Sequence, residues 1–236
     1  MKSLDITLVP GPYTPYEDDG YMEKVLDELL VIDTDVILAP EFLFSRISPY
    51  SRGELQEVKS LLATLLEDNT TLAHKNVLFI PGTLQQGQDD YFYNTAFAFA
   101  KGKELFSYNK STTDIFDDTY ASQANKTYRA GDNKKNYFTW NDLDIGLEIC
   151  RDHGMKKLYD AMKFQEHGKK LDMHIILSYG LNGINPDKLA IREGGIAVLV
   201  DGQRGSEASG ILRKGEYLRP YHTLNGVYDK YKVELE

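Results

Sequence analysis

The sequence predicts an α/β protein in which helices cover a mixed β-sheet or a pair of sheets. Short apolar runs typical of buried strands alternate along the chain with longer stretches whose apolar residues recur at helical spacing. Other neighbouring strands are separated only by tight turns, as in hairpins. Strands that are connected in turn by helices and by hairpins form a mixed sheet with its helices on the outside.

The first half of the chain carries three apolar strand segments, at 4–10, 35–40 and 76–85. The first of them stops at Pro10, and the second is a continuous apolar run of the fully buried type. Between these segments the apolar residues take helical spacing, which predicts two amphipathic helices. One helix covers 53–68, and the other follows the capping residues Asp18 and Asp19 with a stripe formed by Met22, Val25, Leu26, Leu29 and Leu30.

The second half begins with two predicted hairpins. Segment 91–109 folds back at Gly102, and strands 136–140 and 143–150 are joined by a turn at Asn141 and Asp142. The prediction continues with a helix over 155–167, a strand over 173–179, a helix near 186–193 and a strand over 195–200. Two interpretations stay open for the last 35 residues, which form either short strands or an arm that packs on a neighbouring molecule.

Length and composition indicate one domain over residues 1–236, with a short and atypical C-terminal segment from about 206. The single cysteine excludes an internal disulfide and any site built from several cysteines. The first residues lack the long apolar centre of a secretory signal, and we expect a reducing, cytoplasmic location.

Charge and hydropathy argue against two classes of partner. The net charge is −9, with 36 acidic and 27 basic residues, which is unsuited to nucleic acid or to anionic lipid. No apolar run approaches the ~20 residues that span a bilayer. We therefore expect neither nucleic acid nor a membrane as a partner.

Three chemically distinct polar residues directly follow three of the predicted strands. Glu41 comes after the strand at 35–40, Lys110 after the hairpin at 91–109, and Cys150 closes the strand at 143–150. In layered α/β folds, functional groups collect at the carboxyl ends of strands. A carboxylate can take the proton of a thiol, and an ammonium can stabilise an oxyanion, so the trio would suit acyl transfer.

Taken singly, each residue also has a plain structural interpretation. A lone cysteine at the end of an apolar strand is more often a small buried hydrophobe than a nucleophile. Glu41 alone fits a helix cap or a surface position, and Lys110 alone fits a solvated one. The functional interpretation depends on the three residues coming together.

The segments around these residues resemble the nitrilase, or carbon–nitrogen hydrolase, superfamily. "ILAPEF" (37–42), "YNKSTT" (108–113) and "IGLEICRD" (145–152) resemble the family's Glu, Lys and Cys segments in the same chain order. "YNTA" (93–96), "YRAGD" (128–132) and "LAIREGGIAVLVDGQRG" (189–205) resemble further family segments, the last of them a helix and the strand after it. The resemblance implies a four-layer α-β-β-α sandwich with two mixed sheets.

The chain departs from the family pattern near the reaction centre. Many members carry a second glutamate after the lysine, but no glutamate occurs from Ser111 to Leu147. Asp117, Asp118 and Gln123 are the candidates to replace it. The residue after the nucleophile is usually aromatic and is Arg151 here, and "HGMKK" (153–157) replaces the family's usual sequence.

Four residues are supporting candidates for the site. Asp117 is one. Glu148 lies two residues before Cys150, so regular pleating would place both on one face, where Glu148 either orients Lys110 or, as a carboxylate between layers, pairs with an Arg or Lys. Arg151 either reaches the substrate pocket or lies in solvent. Asp152 matches a family aspartate and is expected to bond backbone near the nucleophile turn.

The resemblance implies hydrolysis of a non-peptide C–N bond in a small amide, through a thioester and without a metal or organic cofactor. In that scheme Glu41 is the base, Cys150 the nucleophile, and Lys110 with the backbone N–H of Arg151 stabilises the oxyanion. The resemblance also implies a homodimer or a higher homo-oligomer.

Two alternatives remain at this point. One is a Cys–His thiol hydrolase that uses His153, His167, His174 or His222. The other is a nitrilase-like binding or interaction protein with altered catalytic residues, which the missing glutamate suggests.

Overall fold

The computed structural model of the protein describes residues 2–11, 32–46, 48–68, 75–131, 135–164, 170–224 and 227–236. The helix expected after Asp18, with its stripe from Met22 to Leu30, lies outside these residues. The described residues form two mixed sheets with helices on their outer faces, which confirms the predicted fold class. Among the helices that the structure describes, none combines the length and apolar composition needed to cross a bilayer.

The first sheet contains both ends of the described chain. Its order is β14-β15-β1-β2-β3-β5-β4, and β6 and β7 also pair with β5. The strands are β1 Lys2–Leu8, β2 Val36–Leu38, β3 Leu78–Ile80, β4 Thr83–Gln88, β5 Tyr91–Ala100, β6 Lys103–Asn109, β7 Thr127–Tyr128, β14 His222–Leu224 and β15 Tyr228–Leu235. β15 pairs with β1 along its whole length, from Lys2 with Leu235 to Leu8 with Asp229. The last residues therefore form strands of this sheet.

The second sheet has the order β13-β12-β11-β10-β9-β8. Its strands are β8 Tyr137–Trp140, β9 Leu143–Ile149, β10 Leu171–Ser178, β11 Ile191–Asp201, β12 Gly210–Arg213 and β13 Glu216–Tyr217. β9, β10 and β11 run parallel, so their carboxyl ends meet at one edge. The hairpin of β8 and β9 turns at Asn141 and Asp142, both with positive φ, as the sequence predicted.

Four helices are described: α1 Arg52–Asp68, α2 Ile115–Gln123, α3 Arg151–Gly154 and α4 Lys157–Phe164. α1 confirms the helix expected at 53–68. The helix expected at 155–167 begins earlier than predicted and is divided into α3 and α4. α2 was not predicted, because the polar residues of its sequence suggest a loop.

The largest core lies between the two sheets. Alternate residues of β9, namely Leu143, Ile145, Leu147 and Ile149, face alternate residues of the first sheet, such as Ile6, Leu8, Val36 and Leu38. A second core joins the outer face of the first sheet to α1 through Leu55, Leu62 and Leu66. A third joins the outer face of the second sheet to α4 through Leu158 and Met162. These cores establish four layers, helix on sheet on sheet on helix.

Two predicted elements were wrong. Segment 76–85 is two strands, because the chain breaks at Pro81 and Gly82 before β4 begins. Gly82 has φ of +89°, and a Cβ there would lie 2.0 Å from the carbonyl oxygen of Pro40. Only glycine permits this approach, which brings the start of β4 against the residue before Glu41.

The helix expected near 186–193 is also absent from the described structure. A short 3₁₀ turn covers Pro186–Lys188, and β11 already begins at Ile191. Ile191 pairs with Leu171 of β10, so pairing within the sheet overrides the helical spacing of this segment.

Candidate active site

Glu41, Lys110 and Cys150 each lie just beyond the carboxyl end of a strand. β2 and β3 run parallel, whereas β5 is antiparallel to both β3 and β6, so β2 and β6 run in the same direction. Their carboxyl ends therefore lie at the same edge of the first sheet. Cys150 follows β9 in the second sheet and belongs to the core between the sheets.

Lys110 and Glu41 form a buried ion pair. The Nζ atom of Lys110 lies 2.9 Å from Oε1 of Glu41, and the two side chains are 0% and 1% exposed. Buried charges persist when they are paired and hydrogen-bonded. The structure thus brings together two of the three residues that the sequence placed at strand ends.

Two aspartates of the α2 region complete the surroundings of the ammonium. Nζ of Lys110 lies 2.5 Å from Oδ2 of Asp114 and 2.8 Å from Oδ2 of Asp117. Asp117 was one of three candidates to replace the missing glutamate. The other two, Asp118 and Gln123, have exposed side chains. Sequence reasoning missed Asp114, because a spacing of four residues predicts a pair only within a helix, and residues 110–113 precede α2.

Asp114 also determines where α2 begins. Its Oδ1 accepts hydrogen bonds from the backbone N–H groups of Phe116 at 2.9 Å and Asp117 at 3.1 Å, while the N–H of Asp114 donates to Asp117. This is a capping box, in which the residue before the helix and the third residue of the helix satisfy each other's backbone groups. One local motif therefore positions both carboxylates on Lys110.

Asn94 of β5 joins the same group. Its Nδ2 donates to Oε1 of Glu41 at 2.8 Å and to Oδ1 of Asp117 at 3.0 Å. Its backbone carbonyl accepts from the N–H of Lys110 at 2.8 Å. The residue stands in the segment "YNTA", which resembles a family segment, but its contacts with the site could not be predicted from the sequence.

Tyr128 and Gly131, in the segment that follows α2, hold the backbone at Lys110. The carbonyl of Lys110 accepts from the hydroxyl of Tyr128 at 3.0 Å and from the N–H of Gly131 at 2.9 Å. Both residues belong to "YRAGD", whose last residue, Asp132, lies outside the described part of the chain. The segment therefore fixes the direction in which the lysine leaves its strand.

Cys150 occupies a strained turn between β9 and α3. Its φ is +46° and its ψ is −106°, a region that non-glycine residues rarely adopt. Its N–H donates to the carbonyl of Leu177 at 2.7 Å, and its carbonyl accepts from the N–H of His153 at 3.1 Å. Such strain persists only where surrounding contacts hold it, and it is concentrated at functional sites.

Burial and neighbouring charges set the protonation of the group. Burial, with smaller contributions from Asp117 and Asp114, raises the pKa of Glu41 to about 8 against the lowering effect of Lys110. Burial, helped by the Glu41 carboxylate, also raises the pKa of the Cys150 thiol, which Lys110 and a hydrogen bond with Ser178 lower. Despite burial, the carboxylates hold the pKa of Lys110 well above its ordinary value. The resting site therefore holds a neutral thiol beside an ammonium.

Asp152 connects the cysteine turn to the loop after Lys110. Its carboxylate accepts from the hydroxyl of Tyr108 at 2.7 Å, the N–H of Ser111 at 3.0 Å and the hydroxyl of Thr112 at 2.7 Å. These contacts are structural, and they include the hydrogen bond with a backbone N–H that was predicted for Asp152. The bond reaches the lysine loop, however, and so ties two corners of the site together.

The expectation that Glu148 orients Lys110 is corrected by the structure. The carboxylate of Glu148 faces α4 and binds His174 at 2.8 Å, His153 at 3.1 Å and the N–H of Leu158. It does lie between layers, but its partners are histidines rather than the Arg or Lys expected. The pleating argument failed because the positive φ of Cys150 ends the regular alternation, so that Cys150 joins the core between the sheets.

Arg151 takes the solvent-exposed position that was one of its two interpretations, and the described histidines lie elsewhere than a Cys–His site requires. Arg151 is exposed. Nδ1 of His153 binds Glu148, and its Nε2 accepts from the N–H of Asn185 at 3.3 Å. His174 is buried against Glu148 and His222 is exposed, whereas His167 lies outside the described residues. These contacts leave the ring of His153 without a nitrogen directed at the thiol.

Four aromatic rings pack together beside residues of the site. Phe42, next to Glu41, contacts Tyr120 at 5.2 Å and Tyr179 at 5.9 Å between ring centroids. Phe116, next to Asp117, contacts Tyr179 at 5.7 Å. Phe116 and Tyr120 lie on α2, within the acidic and aromatic segment 112–120. These contacts join α2 to the loops that follow β2 and β10.

Comparison with known proteins identifies the fold. The sequence matches no protein-family model and no curated protein. Variants of the amidase from Nesterenkonia sp. AN1, an enzyme from the nitrilase superfamily, match with a TM-score of 0.69 and 14–15% identity over 98% of this chain and 90% of theirs. One of them carries the acetamide moiety of fluoroacetamide added covalently at the active site cysteine, and another is in complex with butyramide.

A second protein gives the same result. Nit3 of Saccharomyces cerevisiae, a member of branch 10 of the nitrilase superfamily, matches with a TM-score of 0.65 and 15% identity over 99% of this chain and 90% of Nit3. The chain therefore has the fold of the nitrilase superfamily, which confirms the fold that the three sequence segments predicted.

Proposed function

We propose that this chain is a cysteine-dependent carbon–nitrogen hydrolase of the amidase type, with Glu41, Lys110 and Cys150 as its catalytic residues. The observation that carries the proposal is the buried pair of Lys110 and Glu41, 2.9 Å apart, whose charges both act on the Cys150 thiol. An isolated buried ion pair is costly. A pair placed beside a strained cysteine at the carboxyl ends of strands fits a catalytic site better than a packing role.

Glu41 begins the reaction by taking the thiol proton. The raised pKa of Glu41, about 8, makes its carboxylate a stronger base than a solvated glutamate, which suits proton transfer from a buried thiol. The thiolate of Cys150 then attacks the carbonyl carbon of the amide. The charge that develops on the oxygen is stabilised by the Lys110 ammonium and by the backbone N–H of Arg151, the first residue of α3.

The same carboxyl group carries the reaction to its end. Protonated Glu41 gives its proton to the departing nitrogen, so that the C–N bond breaks and a thioester to Cys150 remains. Glu41 next takes a proton from water, which attacks the thioester and releases the carboxylic acid, and the proton returns to the thiol. One amide and one water give one acid and one amine.

Asp114 and Asp117 support this scheme by holding Lys110 protonated in one position. Three carboxylates surround its Nζ within 2.9 Å. Because the pKa of Lys110 is raised well above its ordinary value, the ammonium keeps its charge throughout the neutral range. An oxyanion stabiliser that does not move during the reaction contributes most to catalysis.

The structural neighbours suggest the substrate class. The amidase of Nesterenkonia sp. AN1 takes the acetamide moiety of fluoroacetamide at its active site cysteine and binds butyramide. At 14% identity these ligands are a starting point for a search among small aliphatic amides. The alternative of a Cys–His hydrolase finds less support, because both ring nitrogens of His153 bind other groups.

Ammonia release from acetamide, butyramide and related small amides tests the proposal, with Cys150→Ala as the comparison. We expect turnover by the wild-type protein and none by the variant, which should fold because replacement of a buried thiol by a methyl group disturbs packing little. Equal turnover by both proteins would refute the mechanism. A wild-type protein that binds amides without turning them over would support the binding-protein alternative.

A further inference from the structure

A second buried polar cluster lies on the other side of β9 and is not used in the proposed mechanism. Oε2 of Glu148 lies 3.1 Å from Nδ1 of His153 and 2.8 Å from Nε2 of His174. Glu148 and His174 are 0% exposed, and His153 is 2% exposed. The second oxygen of Glu148 accepts from the N–H of Leu158, at the start of α4. Burial of a carboxylate with two histidines outside the proposed active site calls for a structural or functional explanation.

The hydrogen bonds of this cluster determine which ring nitrogens carry protons. Nε2 of His153 faces the N–H of Asn185 at 3.3 Å, and Nδ1 of His174 faces the N–H of Ala190 at 3.4 Å. Because a backbone N–H only donates, those two nitrogens are acceptors. The protons therefore lie on Nδ1 of His153 and Nε2 of His174, and both are donated to Glu148.

Two imidazoles and a carboxylate are also a ligand set for transition metals, and their ligand atoms lie within 4.8 Å of one another. A metal would occupy the nitrogens that face Glu148 and move each ring proton to the opposite nitrogen. Those protons would then point at the N–H groups of Asn185 and Ala190. The donor pattern thus favours a hydrogen-bonded network over a metal site.

The network spans the nucleophile. Glu148 precedes Cys150 by two residues and His153 follows it by three, so their hydrogen bond joins the chain on both sides of the strained turn. The backbone N–H of His153 also donates to the carbonyl of Cys150 at 3.1 Å. A non-glycine residue with φ of +46° keeps its conformation only while such contacts hold it.

We infer that Glu148 is a positioning residue, which acts through His153 to hold Cys150 and the N–H of Arg151 in their catalytic geometry. The inference rests on the proposed function. Each histidine that binds Glu148 also accepts a backbone N–H with its other ring nitrogen, His153 from Asn185 and His174 from Ala190. The same carboxylate thereby fixes the segment after β10. One buried charge thereby ties the cysteine turn, the start of α4 and that segment together.

Three variants test this role. His153→Ala removes the donor to Glu148, whereas His153→Asn keeps one, because Nδ2 of asparagine stands where Nδ1 of histidine does. Glu148→Gln places an amide group where two ring N–H groups need an acceptor. We expect kcat to fall roughly 10- to 100-fold in His153→Ala and Glu148→Gln with little change in KM, since small misplacements of reacting groups have effects of this size. His153→Asn should recover most of the lost kcat.

Asp172→Asn is the matched control. Asp172 also lies in the second sheet and accepts from the N–H of Asp144 at 2.7 Å and from Nε of Arg192 at 2.6 Å. It is the second residue of β10, whereas Cys150 contacts Leu177 near the other end of that strand. We expect a loss of stability without a loss of kcat. If the Glu148 and His153 variants behave like this control, the network is only structural and the inference is wrong.

Two measurements do not depend on amide turnover. Ring-nitrogen NMR of the wild-type protein at neutral pH should show the proton on Nδ1 of His153 and on Nε2 of His174, and added Zn²⁺ should leave both unchanged. Stoichiometric Zn²⁺ binding with reversed tautomers would overturn the inference in favour of a metal site. The alkylation rate of Cys150 by iodoacetamide should change in His153→Ala and return towards the wild-type rate in His153→Asn. A wild-type protein that hydrolyses no amide would contradict the proposed function and still leave these tests decisive.

Discussion

The ammonium of Lys110 lies 2.5 Å from the carboxylate of Asp114, the residue that caps α2. One side chain thus begins a helix with its Oδ1 and binds the lysine of the site with its Oδ2. Because the same capping box places Asp117 on Lys110, one local motif both starts α2 and supplies two carboxylates to the site.

Replacement of Asp114 by serine separates the two roles. Serine is a good N-cap, so α2 should remain, but it has no carboxylate for Lys110. We expect kcat to fall roughly tenfold, since the oxyanion stabiliser becomes less well fixed. Asp114 raises the pKa of Glu41, so its loss should also move the acid side of the pH–rate profile to lower pH. Asp118→Ser, at an exposed neighbouring position, is the control. Unchanged kinetics in Asp114→Ser would mean that the ion pair only shapes the helix.

Replacement of Glu41 by glutamine should be nearly as damaging as loss of the cysteine. Glutamine keeps the shape of the side chain but can neither take the thiol proton nor return it to the leaving group. We expect a fall in kcat of roughly a hundredfold or more, as for the loss of a general base. Steady-state kinetics on an amide measures it, and circular dichroism confirms that the variant folds. A variant with wild-type kinetics would exclude Glu41 as the base.

The pH dependence of the wild-type reaction should report Glu41. The base must be unprotonated, and its pKa is raised to about 8, so kcat/KM should increase as the pH rises through about 8. Lys110 does not limit this range, because its pKa lies well above the ordinary value. A rate that is already constant from about pH 6 upwards would contradict the raised pKa of the base.

The free energy of unfolding should change with pH in the opposite direction to kcat/KM. Between about pH 5 and 8, folded Glu41 retains a proton that the unfolded chain releases, so the free energy of unfolding falls as the pH rises. Asp117, with its pKa raised to about 6, acts in the same direction over the lower part of this range. Denaturant unfolding at several pH values should show a shallower decline in Glu41→Gln. An equal slope in both proteins would show that Glu41 titrates normally.

The packing around Gly146 leaves no room for a side chain. A Cβ at this position would lie 2.4 Å from side-chain carbons of Leu158 and Leu171, in the layer between β9 and α4. We expect Gly146→Ala to lower the free energy of unfolding by about 1–3 kcal/mol, the usual cost of overpacking. Gly53→Ala is the control, because a Cβ in the first turn of α1 meets nothing within 4 Å. Helix propensity predicts that this variant gains up to about 1 kcal/mol. Equal stability of the two variants would contradict the close packing of α4.

Local pattern in the sequence was sufficient for the fold class and for most of the strands. The hairpin at Gly102, the turn at Asn141 and Asp142 and the helix over 53–68 follow from periodicity and turn residues, which depend on neighbours in the chain. The segment at 186–193 was predicted wrongly as a helix, because its local pattern does not show that it pairs with a distant strand. Pairing with β10 decided its conformation.

The three residues proposed as catalytic were identifiable because each directly follows a predicted strand and stands in a family-like segment. Glu148 was placed wrongly because the parity of a regular strand cannot anticipate the positive φ of Cys150. The two interpretations left open for the C-terminal residues were resolved only by the pairing of β15 with β1, which joins residues more than two hundred positions apart in the chain.

The sequence by itself determined the mixed α/β class and placed three polar residues at strand ends, since apolar periodicity and side-chain chemistry depend only on nearby positions in the chain. Only the tertiary structure decided which carboxylates share the ammonium of Lys110. Asn94, Asp114 and Asp117 come from a strand and a helix start that meet Lys110 and Glu41 only in the folded chain. Contacts between groups distant in the chain depend on the packing of whole elements, and no local spacing specifies them.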